Sequence, residues 1–287
     1  MIMNRPFLTA SYILVAAGFQ RWLLYSGTLL LAVIYSGWAA ALGDGAPAKP
    51  QTIDLSRATI TGEAKIEVAH DPAYRTQKHY SGDSLKHYLE ANGFSPATIG
   101  RDVVVEFLCA DGYSPVASLE ALIQDGAFLA TADVDAATGR KWLPFSSSSP
   151  EREPGPVYLV WPKAVEDADH PWPYGITSLR IGSSSALFGA ALPKSGDVQH
   201  GFTMFRENCM KCHSINGVGG TVGVELNVPR NVFEYWQVEK LPAFVAHPES
   251  FRRNGKMPPF EHLGGDAISE ILKYIEHMKG QKIEIVP

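Results

Sequence analysis

Cys209-Met210-Lys211-Cys212-His213 is the stretch from which the rest of this chain can be read. Two cysteines separated by two residues and followed at once by a histidine form the attachment pattern of a c-type haem. The spacing follows from the chemistry. Two thiols add across the two vinyl groups on one edge of a porphyrin, and the adjacent histidine is carried beneath the ring to reach iron. A zinc half-site would need four ligands, and the only other cysteine, Cys109, lies far upstream. A thioredoxin-like pair would sit in a βαβ pattern, which is absent around this stretch.

Working outward, Ser195-Gly196-Asp197 caps a helix expected to run through Gly201 and Phe205 to Asn208, delivering the motif at its C-terminal end. Downstream, Ile268, Ile271, Leu272 and Ile275 recur at helical spacing, so Asp266–Lys279 reads as the last helix. Of the methionines after His213, Met257 lies in Gly255-Lys256-Met257-Pro258-Pro259-Phe260, whose prolines fix the path of a loop. Met278 rides the last helix instead.

Gly201-Phe202-Thr203-Met204-Phe205, the cysteine–histidine motif and Gly217-Val218-Gly219-Gly220 together resemble small single-haem class I cytochromes c. The resemblance implies an all-α domain over residues 195–287 with one covalent haem c held by Cys209 and Cys212. It places iron between His213 and Met257, with Tyr274 of the last helix meeting Gly201 or Phe205. His247 and His262 bracket the methionine loop and are the alternative sixth ligands; either would give a lower potential than a thioether. Many relatives carry a proline whose carbonyl accepts a hydrogen bond from the haem histidine, and here Val224 stands at that position. Arg252, Arg253 and Lys256 precede or enter the methionine loop, where they read as a basic rim for docking a redox partner or as ordinary solvated charge.

The chain has 287 residues, enough for two modest domains. Residues 51–193 hold 18 acids against 11 bases, whereas residues 195–287 hold 11 against 10. No basic patch of the kind that binds nucleic acid is present. Three cysteines, two of them in the haem motif, leave no disulfide framework. Residues 1–50 read as a signal peptide or membrane anchor plus linker. Arg5 and Arg21 come before an uncharged run from Trp22 to Gly43, about the ~20 residues that span a bilayer. Ala39-Ala40-Ala41 supplies small residues for a signal peptidase, so cleavage and anchoring both stand. Either places the remainder in the periplasm, free or tethered to the inner membrane.

Residues 51–183 read as a strand-rich α+β domain, and 184–194 as a linker. Ala64–Val68 alternates as a half-buried strand, and Val103–Leu108 is a continuous apolar run. Further strands are expected at Val157–Val160 and Ile176–Ile181. Short helices are expected near Asp83–Glu90 and after the cap Ser118, with Trp142–Pro156 a loop. Gly82-Asp83-Ser84-Leu85, Phe107-Leu108-Cys109-Ala110-Asp111-Gly112-Tyr113, Gly155-Pro156-Val157-Tyr158-Leu159-Val160-Trp161-Pro162 and Trp172-Pro173-Tyr174 together resemble small sulfite-oxidase-like molybdopterin domains. That resemblance implies Cys109 as a molybdenum ligand, whereas the residue's own setting, the end of an apolar strand, reads as a small buried hydrophobe. The segment's acidity suits a docking scaffold better than a phosphate-bearing cofactor. His70, His79, His87 and His170 show no dense ligand spacing and read as surface or loop residues.

With both axial positions filled, iron has no open site. The whole therefore reads as a periplasmic or membrane-tethered electron-transfer protein or redox-complex subunit, with no catalytic residue of its own. The alternatives are a molybdenum oxidoreductase with a fused haem exit, and a gas sensor.

Overall fold

The computed structural model describes residues 49–55, 60–94, 102–146, 152–162 and 170–284. The expected N-terminal signal or anchor lies outside the described residues, among which no helix is long and apolar enough to cross a membrane.

The strand-rich part runs β1 (Gln51–Asp54), β2 (Ala64–Asp71), β3 (Thr76–Ser84), α1 (Leu85–Ala91), β4 (Val103–Cys109), β5 (Val116–Ser118), α2 (Leu119–Gln124), β6 (Phe128–Asp133), β7 (Tyr158–Val160) and β8 (Ile176–Ser183). These form two four-stranded antiparallel sheets, ordered β1-β8-β4-β5 and β2-β3-β6-β7. One core joins the inner faces of both sheets to α1 and α2, through Val105, Phe107, Leu129, Leu159, Leu179 and Ile181. The second sheet is buried on its other face too, by Tyr80, Phe128, Trp142 and Tyr158. A strand covered on both faces needs a continuous apolar run, which is why Tyr158-Leu159-Val160 shows no alternation. Both short helices begin on serine caps: the Ser84 and Ser118 hydroxyls accept from the backbone N–H of His87 and Ala121, each at 3.1 Å. Such caps are worth about 1 kcal/mol each.

Strand β3 is the element the sequence pattern hides. Thr76-Gln77-Lys78-His79 looks like solvated loop, yet Lys78 is buried with its ammonium 2.7 Å from Asp133. A buried pair of this kind holds register more than it adds stability.

Ser183–Pro193 differs from the expected linker. It forms α3 (Ser184–Phe188) and a 3-10 turn, Gly189–Ala191, and buries Leu187, Phe188 and Ala191 in the second core. Its serines cap and face outward while its few apolar residues share one face, so composition alone misleads. The C-terminal part then adds α4 (Gln199–Asn208), a two-residue hairpin of β9 (Ser214–Ile215) and β10 (Val218–Gly219), α5 (Leu241–Ala246) and α6 (Gly264–Met278). Helices α4 and α6 cross at Gly201, where a Cβ would lie 2.2 Å from the Glu270 carbonyl oxygen. Tyr274 fills the crossing, with its ring 5.5 Å from Phe202 and 5.3 Å from Phe205, and its hydroxyl donating to the Ala191 carbonyl at 2.7 Å.

The two parts pack together. Alternate residues of β4 point to opposite faces: Val105, Phe107 and Cys109 enter the first core, while Val104, with Val116 of β5, packs against the core of the C-terminal helices.

Candidate functional site

The cysteine–histidine motif forms a tight turn off the end of α4. Cys209 N–H donates to the Phe205 carbonyl at 2.8 Å, continuing the helix, and His213 N–H donates to the Cys209 carbonyl at 2.9 Å. The loop that follows wraps back over the turn: Gly220 N–H donates to the Met210 carbonyl at 2.8 Å and Gly223 N–H to the Cys212 carbonyl at 2.7 Å. The close approach needs glycine, since a Cβ at Gly223 would sit 2.3 Å from the His213 ring. His213 Nδ1 then lies 2.8 Å from the Val224 carbonyl, which accepts from the ring N–H and leaves Nε2 as the nitrogen that could bind a metal. The hydrogen bond expected at a proline in relatives is therefore made here by the valine's backbone.

A cavity of about 500 Å³ opens against this turn. Cys209, Cys212 and His213 line one side, and Met257 lines it from the loop between α5 and α6. Its remaining wall is mostly apolar, with Leu226, Val232, Trp236, Leu241, Phe244 and Phe260 among its residues. An apolar slot with two thiols and an imidazole at one edge and a thioether on its wall fits a covalently held porphyrin. His247 and His262 do not line it. His247 is half-buried, with its ring nitrogens 3.7 Å from Glu249 and 3.9 Å from Glu261, and the His262 ring lies tilted against Phe260 with centroids 5.9 Å apart.

The electrostatics do not suit thiol–disulfide exchange. Burial pushes the Cys209 thiol up to about 12 and raises Cys212 as well, whereas exchange-active cysteines are lowered. Burial also lowers the His213 imidazole, against smaller opposing effects of the Val224 bond and Glu225, and so favours the neutral ring that a metal ligand requires.

At the rim, the Arg252 guanidinium lies 5.0 Å over the Trp236 ring, and Arg252 and Lys256 both line the cavity. Arg253 is exposed beside them. Lys256 and Val222 also line a second cavity of about 740 Å³, together with Asp111, Arg152 and Tyr174 of the strand-rich part.

The strand-rich part reaches the motif itself, which the sequence does not reveal. The turn after β4 is fastened by two backbone bonds: Ser114 N–H donates to the Lys211 carbonyl and Thr221 N–H to the Gly112 carbonyl, both at 2.8 Å. Gly112 has φ +87°, and a Cβ there would lie 2.3 Å from Thr221 Oγ1. Between these bonds stands Tyr113, whose phenol is held well above its ordinary range by burial and by the neighbouring Cys212 and Cys109 sulfurs. Ser114 is braced in turn, donating to Glu106 at 2.7 Å, while Glu106 pairs with Arg180 at 2.9 Å.

Cys109 ends β4 in the first core, and burial, with Asp111 adding to it, pushes its thiol up to about 12. The one charged group acting on this sulfur is an acid, so no protein cation there would help hold a thiolate for the molybdenum that the sulfite-oxidase-like resemblance implies. Among the described residues no group of three or more His, Cys, Asp or Glu is placed to hold a metal ion. His79 is half-buried and His87 exposed, and they pair with Asp135 at 3.1 Å and Asp83 at 2.8 Å. His70 is exposed on β2, and His170 lies 3.1 Å from Asp125.

One prediction follows for Cys109. Alkylation needs thiolate, so native protein should react with iodoacetamide at pH 8 at least about a thousandfold more slowly than a free thiol with a pKa of about 8.5. The rate should climb about tenfold per pH unit toward pH 12, and mass spectrometry after timed quenching checks this. The same shift has a sign for stability: the folded state keeps a proton that the unfolded chain loses, so this contribution falls as pH rises above about 8.5.

Helices crossed at a glycine, and a cysteine–histidine turn and a methionine lining one mostly apolar cavity, suit a haem-holding domain of the electron-carrier class. Residues 198–279 match the family model described as Cytochrome c, and the chain carries a C-terminal cytochrome c domain. The match does not extend over the strand-rich part. No curated protein matches the chain.

Proposed function

We propose that this chain is an exported, one-haem electron carrier in which Cys209 and Cys212 hold haem c, His213 and Met257 ligate iron, and the strand-rich domain is a rigid docking scaffold. The observation that carries the reading is that all four residues line one apolar cavity. Haem supplies a one-electron Fe(III)/Fe(II) couple. The protein's own residues would set its value and its access: Val224 orients the His213 ring, the mostly apolar wall would keep water out, and Met257 would supply the second protein ligand. A thioether favours ferrous iron relative to a second imidazole and so raises the potential. Arg252, Arg253 and Lys256 give the rim its positive charge, and an acidic redox partner in the periplasm or at the membrane suits them.

Support for the scaffold role comes from the two backbone bonds to Lys211 and Thr221. They attach the strand-rich domain at the segment that bears the haem, so a partner bound to that domain is held at a set position relative to the ring.

A metal and haem inventory of the natively exported protein, with its intact mass, tests the whole reading. One haem per chain, a mass shift equal to one covalent haem, and loss of both in Cys209→Ser and Cys212→Ser are expected. The same mass reports whether residues 1–41 are retained. Stoichiometric molybdenum would replace this reading with that of a fused oxidoreductase, and carbon monoxide binding to the reduced wild-type protein with that of a gas sensor.

A further inference from the structure

Val224 presents the carbonyl that accepts from His213, but its side chain is 60% exposed and anchors nothing. Something else must hold that carbonyl where a proline would in relatives. On one side the Gly223 N–H bond to the Cys212 carbonyl does so. On the other side stands Glu225. Its Oε1 accepts from the backbone N–H groups of Asn216 at 3.0 Å, Asn227 at 2.9 Å and Val228 at 3.2 Å, and its Oε2 accepts from Gly217 at 3.0 Å. Four N–H groups converging on one carboxylate clamp the hairpin after the haem motif to the loop that carries Val224.

The clamp is tied into the fold by a line of buried amides. Asn227 Nδ2 donates to Asn216 Oδ1, Asn231 Nδ2 to Asn227 Oδ1 and Asn231 Nδ2 to the Ile275 carbonyl of α6, each at 2.8 Å. Asn216 Nδ2 donates to the Ala190 carbonyl at 2.8 Å and the Gln281 carbonyl at 2.9 Å.

We infer that Glu225 is the positioning residue for the haem histidine, doing through a carboxylate clamp and its negative charge what a proline does by stiffness elsewhere. The inference rests on the proposed ligation by His213 and concerns how that ligand is tuned. Two effects act in one direction. Fixing the Val224 carbonyl strengthens its bond from the His213 ring N–H, which makes the imidazole a better donor to iron. A carboxylate nearby also stabilises the more positive ferric state. Both lower the potential.

Glu225→Gln tests this in the full-length, haem-loaded protein. The amide keeps the three bonds at Oε1 but removes the charge and sets an NH2 group against the Gly217 N–H. A higher potential is expected, together with solvent exchange of the His213 ring N–H, followed by NMR of the ferric protein, that is at least tenfold faster. Glu225→Asp keeps the charge on a shorter arm that cannot reach all four donors, so it should quicken exchange with a smaller change in potential. Ile271→Val, which thins the core of α6, is the comparison and should lower Tm alone. A Glu225→Gln protein with a lower Tm but unchanged potential and exchange would overturn the inference and leave Glu225 a structural residue. If that variant does not accumulate with haem, wild-type exchange in Glu225→Asp overturns it equally. Haem content and the reduced spectrum of the wild type report separately on the ligation itself.

Discussion

Met257→Ala should lower the haem potential and turn a protein inert to carbon monoxide into one that binds it stoichiometrically when reduced. Met257 faces the cavity from a loop held by Pro258 and Pro259, and the two histidines flanking that loop point elsewhere, toward Glu249, Glu261 and Phe260. Truncation therefore leaves neither histidine in place to take over the sixth position. Losing the thioether removes its preference for ferrous iron, so the potential falls. A redox titration and a difference spectrum of the reduced protein with carbon monoxide check both effects. An unchanged potential with no carbon monoxide complex would remove Met257 from the site.

Gly201→Val should prevent stable folding of the C-terminal domain. At the crossing of α4 and α6 the added Cβ meets backbone: the Glu270 carbonyl oxygen at 2.2 Å, its carbon at 2.9 Å and Tyr274 Cβ at 3.0 Å. A side chain can rotate away from such a contact, but a helix backbone cannot, so the helices must separate. Separation loosens Phe202, Phe205 and Tyr274 together. Overpacking costs about 1–3 kcal/mol per site and more where backbone is met, which exceeds the roughly 1 kcal/mol that replacing glycine by alanine gains in helix propensity. Gly201→Ala is accordingly expected to lose about 1–2 kcal/mol net, a fall in Tm of roughly 4–16 °C for a domain of this size. Thermal melts followed at the haem band test the pair; a Gly201→Ala protein as stable as wild type would show that the crossing can relax.

The same kind of close approach joins the two halves of the chain. The turn at Gly112 seats against Thr221 with no room for a Cβ, and its neighbours bond to the backbone of Lys211 and Thr221. A domain tethered only by its linker would reorient freely. One fastened by backbone bonds at Lys211 and Thr221 keeps a set position relative to the cysteine–histidine turn.

Much of the cytochrome c domain was legible in advance because its signals are local. A cysteine pair with an adjacent histidine, a glycine–aromatic helix and an amphipathic last helix are each contained in a few turns of chain, and Gly201, Phe205 and Tyr274 meet as the cytochrome resemblance implies. The strand-rich domain was partly legible for the same reason: Val103–Leu108 and the serine caps are local patterns. Strand β3 was not, since Lys78 is apolar-compatible only once Asp133 is brought to it from far along the chain. The helix at Ser184–Phe188 was hidden by serines that turn out to cap and face outward.

Sequence alone thus determined the chemistry of the site, because covalent haem attachment needs two thiols and an imidazole at fixed short spacing. The resemblance named Met257 as the distal ligand, with His247 and His262 as alternatives. Only the tertiary structure shows that Met257 lines the cavity while the two histidines do not, how Glu225 gathers four backbone donors, and that the turn bearing Tyr113 bonds to Lys211. Those are relations between residues distant in the chain, and they exist only after packing has brought the backbone groups of separate loops within hydrogen-bonding reach.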